Sequence, residues 1–134
     1  MKIFTSAQIH ELDKYTIENE PVKSIDLMER AAKTLTQAIT DDWNNTTPVI
    51  IFAGPGNNGG DALAIARLLL DKNYDVKAYL FNISGHLSED CATNKKRLLE
   101  KKAKALEHQS ACGVDNGIEY DFFCRGRLHK PILV

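Results

Sequence analysis

The stretch 49–81 limits the fold more than any other part of the chain. Val49, Ile50, Ile51, Phe52 and Ala53 form an unbroken apolar run between Pro48 and Gly54. A short run bounded by such punctuation suits a parallel strand buried on both faces. Gly54-Pro55-Gly56-Asn57-Asn58-Gly59-Gly60-Asp61 follows, and then a segment carrying Leu63, Ile65, Ala66, Leu68, Leu69 and Leu70. That segment is apolar nearly all round, which reads as a well-buried helix. Asn73 and Tyr74 end it. Residues 75–81 read as a second strand, with Val76, Ala78 and Leu80 on one face. Strand, glycine loop, helix and strand make a βαβ unit, which predicts a parallel sheet with a right-handed crossover.

The flanks are helical. Residues 5–18 read as a first helix, with Thr5 and Gln8 placed for a capping box and Ile9 and Leu12 starting an apolar stripe. Pro21 breaks it. Ser24 is placed to cap a second helix, whose Met28, Ala31, Ala32, Leu35, Ile39 and Trp43 recur at helical spacing and predict a core-facing stripe. Ser88 is placed to cap a fourth helix running to about residue 108. Its Lys95, Lys96, Arg97, Lys101, Lys102 and Lys104 read as a solvated face, because no aromatic residue is interleaved with them. After residue 108 the periodicity stops. Gly113, Asn116, Gly117 and Gly126 punctuate the rest, and 120–124 is its one candidate strand.

At 134 residues the chain is one domain's worth, with 43% apolar and 26% charged residues. These values exclude a disordered, collagen-like or disulfide-scaffold chain. A net charge of −1 gives no general attraction to nucleic acid or to an anionic membrane. No apolar stretch approaches the roughly 20 residues of a membrane span. His10, Glu11, Asp13 and Lys14 leave no room for a signal-peptide core, so a cytoplasmic protein is expected. Cys91, Cys112 and Cys124 have no CxxC spacing and read as reduced thiols. His10, His86, His108 and His129 are isolated and read as surface or capping residues.

Gly54 to Asp61 carries the chemistry. It joins the C-terminal end of a strand to the N-terminus of a helix, the edge at which open parallel sheets bind ligands. Unpaired N–H groups at a helix start suit phosphate. Asn57 and Asn58 add amide oxygens and donors. Asp61 adds a carboxylate, which suggests a hard cation or a ribose or amide group of the ligand. The P-loop is excluded, because no Lys follows Gly60. The G-x-G-x-x-G pattern is met by Gly54, Gly56 and Gly59, without a clear acidic partner about 20 residues on. The plain alternative is a glycine-rich turn with Asp61 as a helix cap.

The run Gly-Pro-Gly-Asn-Asn-Gly-Gly-Asp, followed by an apolar helix with Ala66-Arg67, resembles the signature of the YjeF N-terminal domain family, the NAD(P)H-hydrate epimerases. "SAQIHELD" at 6–13 and "LMERAA" at 27–32 resemble that family's two leading helices. The resemblance covers about residues 1–108 and divides the chain into a family-like part and a divergent tail, 109–134, of a single partial domain. It departs at Ala62, where many members carry glycine.

The resemblance implies a Rossmann-like αβα sandwich, an α/β fold with a parallel sheet, incomplete at its C-terminal side. It implies an isomerase that interconverts the R and S hydrates of NADH and NADPH. Carried onto this sequence, Asn57, Asn58, Gly59, Gly60 and Asp61 bind the hydrated dinucleotide, and Asn58 helps hold a potassium ion. It also implies a dehydratase as functional or fused partner, and a homodimer. The Asp-x-Pro-Ser-Gly segment that holds the family's proton-transferring aspartate does not occur in this sequence. The other site segment, Asp-x-x-Phe-Gly-x-Gly-Leu, is echoed only faintly by 121–131, where Asp121 stands as a candidate potassium ligand. The change of character at Gln109 predicts a tail partly read out of frame. The alternative function is a non-catalytic nucleotide-binding or dimerising module of the same fold.

Overall fold

A computed structural model describes residues 3–82, 85–110 and 132–133. Its elements run α1 (Ser6–Asn19), α2 (Ser24–Asp42), β1 (Val49–Ala53), α3 (Asn57–Asp71), β2 (Val76–Leu80), α4 (Glu89–Ser110) and β3 (Ile132–Leu133). β1 and β2 pair in parallel with Val49 opposite Val76 and Ala53 opposite Leu80. This is the βαβ unit expected from the sequence. The sheet order is β1-β2-β3, so β1 is an edge strand among the described residues. β3 was not foreseen, and it runs antiparallel to β2, with Leu80 opposite Ile132.

Local chemistry sets most boundaries. The Thr5 and Gln8 capping box forms: Thr5 Oγ1 accepts from the Gln8 amide at 3.3 Å, and Gln8 Oε1 accepts from the Thr5 amide at 2.9 Å. Ser88 caps α4 by accepting from the Cys91 amide at 3.2 Å. Asn73, at φ 62°, turns the chain out of α3 in the left-handed region that Asn tolerates. The Tyr74 hydroxyl then donates to the Trp43 carbonyl, joining that turn to the end of α2.

α3 lies on the sheet, with α2 and α4 packed against it. Leu63, Ala66 and Leu69 of α3 meet Ala53, Val76, Ala78 and Leu80 of the strands and Cys91 and Leu98 of α4 in one buried cluster. Cys91 is a free, buried thiol. An ion-pair group also ties the three helices. Glu29 accepts from Arg67 at 2.5 Å and lies 3.7 Å from Arg97.

Three expectations are corrected. Ser24 does not cap α2. Lys23 is the N-cap and offers no side-chain bond. The Ser24 hydroxyl instead donates to Asp90 at 2.6 Å, bridging α2 to the start of α4. The α2 stripe is narrower than its spacing suggested. Met28 and Ala32 are buried together with Thr36, but Leu35 and Trp43 are half exposed. A helix in a single covering layer buries only the strip facing its neighbour. β1, expected to be buried on both faces, is buried on one. Ile50 is 58% exposed and Phe52 67% exposed, because α3 covers only the face of Val49, Ile51 and Ala53.

Candidate functional site

The glycine segment is less of a loop than its sequence suggests. β1 ends at Ala53, Gly56 is the N-cap, and α3 already begins at Asn57. Asn57 to Gly60 therefore form the first turn of a helix at the C-terminal end of a parallel strand, and Asp61 follows directly. Asp61 lies inside the helix and does not cap it. The Gly59 and Gly60 amides donate to the Gly56 carbonyl at 3.0 and 3.1 Å. No side chain caps α3. The N–H groups of Asn57 and Asn58 thus stand at the helix start, where intrahelical geometry gives them no acceptor.

Two of the glycines are required by space. A Cβ on Gly59 would sit 1.8 Å from the Gly54 carbonyl oxygen, closer than any side chain can approach. A Cβ on Gly60 would meet Met28 Sδ at 2.9 Å and the Cys91 Cα at 3.3 Å. These close approaches seat the turn against β1, α2 and α4. The Ser88 amide donates to the Pro55 carbonyl at 2.9 Å, and the Cys91 thiol donates to the Gly54 carbonyl at 3.6 Å.

A hollow opens on each side of this turn. One is a cavity of about 480 Å³ between α1, α2 and the start of α3. Ile9, Ile17 and Leu27 give it apolar walls, and His10, Asp13 and Lys14 face it from α1. Asn57, Asn58 and Asp61 face it from α3. The other, of about 510 Å³, lies over the strand end and is lined by Phe52, Gly54, Gly56, Asn57, Asn58 and Gly59. Asn57 and Asn58 line both. Burial pushes the Asp61 carboxyl above the usual carboxylate range, and the charges of Asp13 and Asp90 push it further. Burial likewise raises the Cys91 thiol, against a smaller opposite effect of Lys95.

N–H donors at a helix start, amide side chains on two sides and a carboxylate nearby together offer hydrogen-bond donors and acceptors to a polar or anionic ligand. The model of the family described as YjeF-related protein N-terminus matches residues 24–130 of the sequence. The chain belongs to this family. Among curated relatives, the NAD(P)H-hydrate epimerase of Oenococcus oeni is 44% identical over 87 residues, 64% of this chain and 41% of that protein. The NAD(P)H-hydrate epimerase of Rhodobacter capsulatus is 33% identical over 103 residues, 72% of this chain and 49% of that protein. The bifunctional NAD(P)H-hydrate repair enzyme Nnr of Moorella thermoacetica is 33% identical over 97 residues, 70% of this chain and 18% of that protein. The chain spans less than half the length of these relatives.

Of the five residues singled out from the family motif, Asn57 and Asn58 line both hollows, Asp61 lines the first and Gly59 the second, while Gly60 is buried against Met28 and Cys91. Asp121 lies outside the described residues. Among the described residues no three His, Cys, Asp or Glu side chains gather into a metal cluster. The exposed amide oxygen of Asn58 is of the donor type that suits a hard cation. No described helix is long and apolar enough to cross a membrane.

Sequence reasoning missed α1 as a wall of the site. His10, read as a surface residue, lines the larger cavity, as does Asp13. The signal was present. His10, Asp13, Lys14 and Ile17 recur at i, i+3, i+4 and i+7, so they share one helix face with mixed polar and apolar character.

Proposed function

We propose that this chain supplies the dinucleotide-binding half of an NAD(P)H-hydrate epimerase, acting on the R and S hydrates of NADH and NADPH in nicotinamide repair. The observation that carries the reading is the uncapped start of α3, with Asn57 and Asn58 at the end of β1, in a chain of this family. In this reading the Asn57 and Asn58 amides hold the dinucleotide diphosphate. Gly59 and Gly60 let the turn seat closely, and Asp61 accepts from a ribose hydroxyl or the ligand's carboxamide. Asn58 and Asp121 would hold a potassium ion, which would supply positive charge beside the anionic ligand. A dehydratase acting on one of the two epimers is the functional partner, and a homodimer the assembly. The name of the Moorella relative, a bifunctional repair enzyme, supports the link between the two activities.

A second reading is a non-catalytic nucleotide-binding or dimerising module, in which no residue of the given sequence is assigned to proton transfer. A single pair of experiments separates the readings. Calorimetric titration with NADH hydrate, in potassium and then in sodium buffer, measures binding. Chromatography of the R and S forms after incubation measures epimerisation. Potassium-dependent binding that Asn58→Ala weakens about tenfold, near 1.4 kcal/mol, supports the ligand assignment. Binding without epimerisation selects the module. Absence of binding removes the ligand claim from both.

A further inference from the structure

Side chains bridge α2 to α4 across α3 at successive levels. Ser24 donates to Asp90 at 2.6 Å, Asn94 Nδ2 donates to Met28 Sδ at 3.2 Å, and Glu29 lies 3.7 Å from Arg97. Of these, only the Asn94–Met28 bond is buried. Asn94 is 1% exposed. A thioether is a weak acceptor, and Asn94 Oδ1 has no partner among the described residues. A buried amide held so weakly costs stability that an apolar side chain would not. Packing alone would favour a leucine here, and Leu98, one turn further along α4, is such a residue in the core.

The partner of the amide shows what the cost is for. Met28 has an unbranched side chain with several accessible rotamers. Its sulfur and methyl lie against Gly60, where a Cβ would stand 2.9 Å from Sδ and 3.1 Å from Cε. Met28 also lines the cavity beside α1, together with Asn57, Asn58 and Asp61. One side chain thus supports the turn, walls the cavity and accepts from Asn94. Fixing its sulfur selects one rotamer and fixes the surface on which Gly60 rests.

We infer that Asn94 is a positioning residue for the ligand turn: its amide holds the Met28 thioether against Gly60 and so sets where Asn57 and Asn58 stand at the cavity. The ligand in this inference rests on the function proposed above, whereas the positioning can be read without it.

The test uses the full chain and the variants Asn94→Leu, Met28→Leu and the two combined. Leu has the shape of Asn without its polar atoms, and Met to Leu is among the best-tolerated core changes. Met1 and Met28 are the only methionines, so the ε-methyl spectrum of the ligand-free chain has two signals to follow. The amide signals of Gly59 and Gly60, thermal melts and calorimetric titration with NADH hydrate complete the set. Asn94→Leu should melt at or above the parent temperature, shift the Met28 methyl and Gly60 amide signals, and weaken NADH hydrate about fivefold. Met28→Leu should weaken it similarly, and the double variant no further than about twofold beyond either one, because both changes cut the same contact. Unmoved Met28 and Gly60 signals in Asn94→Leu overturn the inference, as do losses of binding that multiply in the double variant. A lowered melting temperature or failure to fold in Asn94→Leu makes Asn94 a residue of the fold alone and overturns it too. If the parent chain does not bind NADH hydrate, the proposed ligand fails, and the ligand-free signals and the melts decide the positioning by themselves.

Discussion

The two faces of the β1–β2 sheet both carry large apolar residues, though Lys77 stands opposite Ile50 on one of them, and they meet different fates. On one, Val49, Ile51, Ala53, Val76, Ala78 and Leu80 pack under α3, and Leu63 and Leu69 of that helix are fully buried. On the other, Ile50 and Phe52 are more than half exposed, with Tyr79 beside them. Hydrophobicity alone does not decide burial. What decides it is whether the chain provides a second layer. The covered face carries the stability of this part of the domain, and the glycine turn is seated from that side, through Gly59 on β1 and Gly60 on Met28 and Cys91. The seating of the turn therefore depends on the covered face, while the bare face contributes Phe52 to the wall of the hollow over the strand end.

The largest test of that contrast compares Leu63→Ala with Phe52→Ala. Leu63 is fully enclosed, so truncation removes transfer energy and leaves a cavity, costing about 3 kcal/mol. Phe52 loses less by the same change, within about 1 kcal/mol, because it is 67% exposed and gives up chiefly its stacking on Tyr79. Urea melts of both variants check this. Equal losses would mean that the bare face is covered in solution. With one sheet face uncovered among the described residues, the chain is also expected to be marginal and prone to associate, and a cooperative, high-melting monomer in a thermal scan would contradict that.

The next effect separates two neighbouring glycines. Gly59→Ala drives a methyl into a backbone carbonyl at 1.8 Å, which cannot move without displacing the strand end. The expected cost is about 2 kcal/mol or more, with loss of dinucleotide binding. Gly60→Ala meets chiefly the flexible Met28 side chain, and the helix gains about 1 kcal/mol of propensity. Its net change is expected within about 1 kcal/mol of zero. Melting curves of the pair, alongside the calorimetric titration, check both statements. If Gly59→Ala binds like the parent chain, the close seating of the turn on Gly54 is not needed for binding.

The pattern of legibility follows the same division. β1 was readable to the residue, because Pro48 and Gly54 bracket an apolar run. The α1 capping box and the Ser88 cap were readable because they are local hydrogen-bond patterns with fixed spacing. The one-sided burial of β1 was not readable. Alternation tells which residues are apolar but not whether a partner layer exists. Ser24 was misread for a related reason: its sequence context matches a cap, while its actual partner, Asp90, is a long-range one. β3 has two residues, too few for any period. At the site, the Asn57 to Asp61 motif was legible as a ligand-binding turn. The wall that α1 supplies was not, because no local rule says where a first helix docks.

The smallest expected effect lies where the covered side opens to solvent. The Asp61 carboxyl faces Asp13 and stands near Asp90, and burial and both charges raise its pKa above the ordinary 3.8. A raised carboxyl binds its proton more tightly folded than unfolded, so Asp61 favours the fold at low pH. That contribution fades as pH rises from the ordinary value through the raised one, and above it the ionised group is a constant cost. The helix start favours a negative charge, but only within the first turn, and Asp61 stands one residue past it. Asp61→Asn should therefore match the parent chain below about pH 3. At neutral pH it should be more stable by less than about 1 kcal/mol, since the group is partly solvated. Melting temperatures across this range check the sign. A variant less stable at neutral pH would mean that the Asp61 charge is held by a partner in solution, a bound cation at the mouth of the cavity being the first to test by adding potassium.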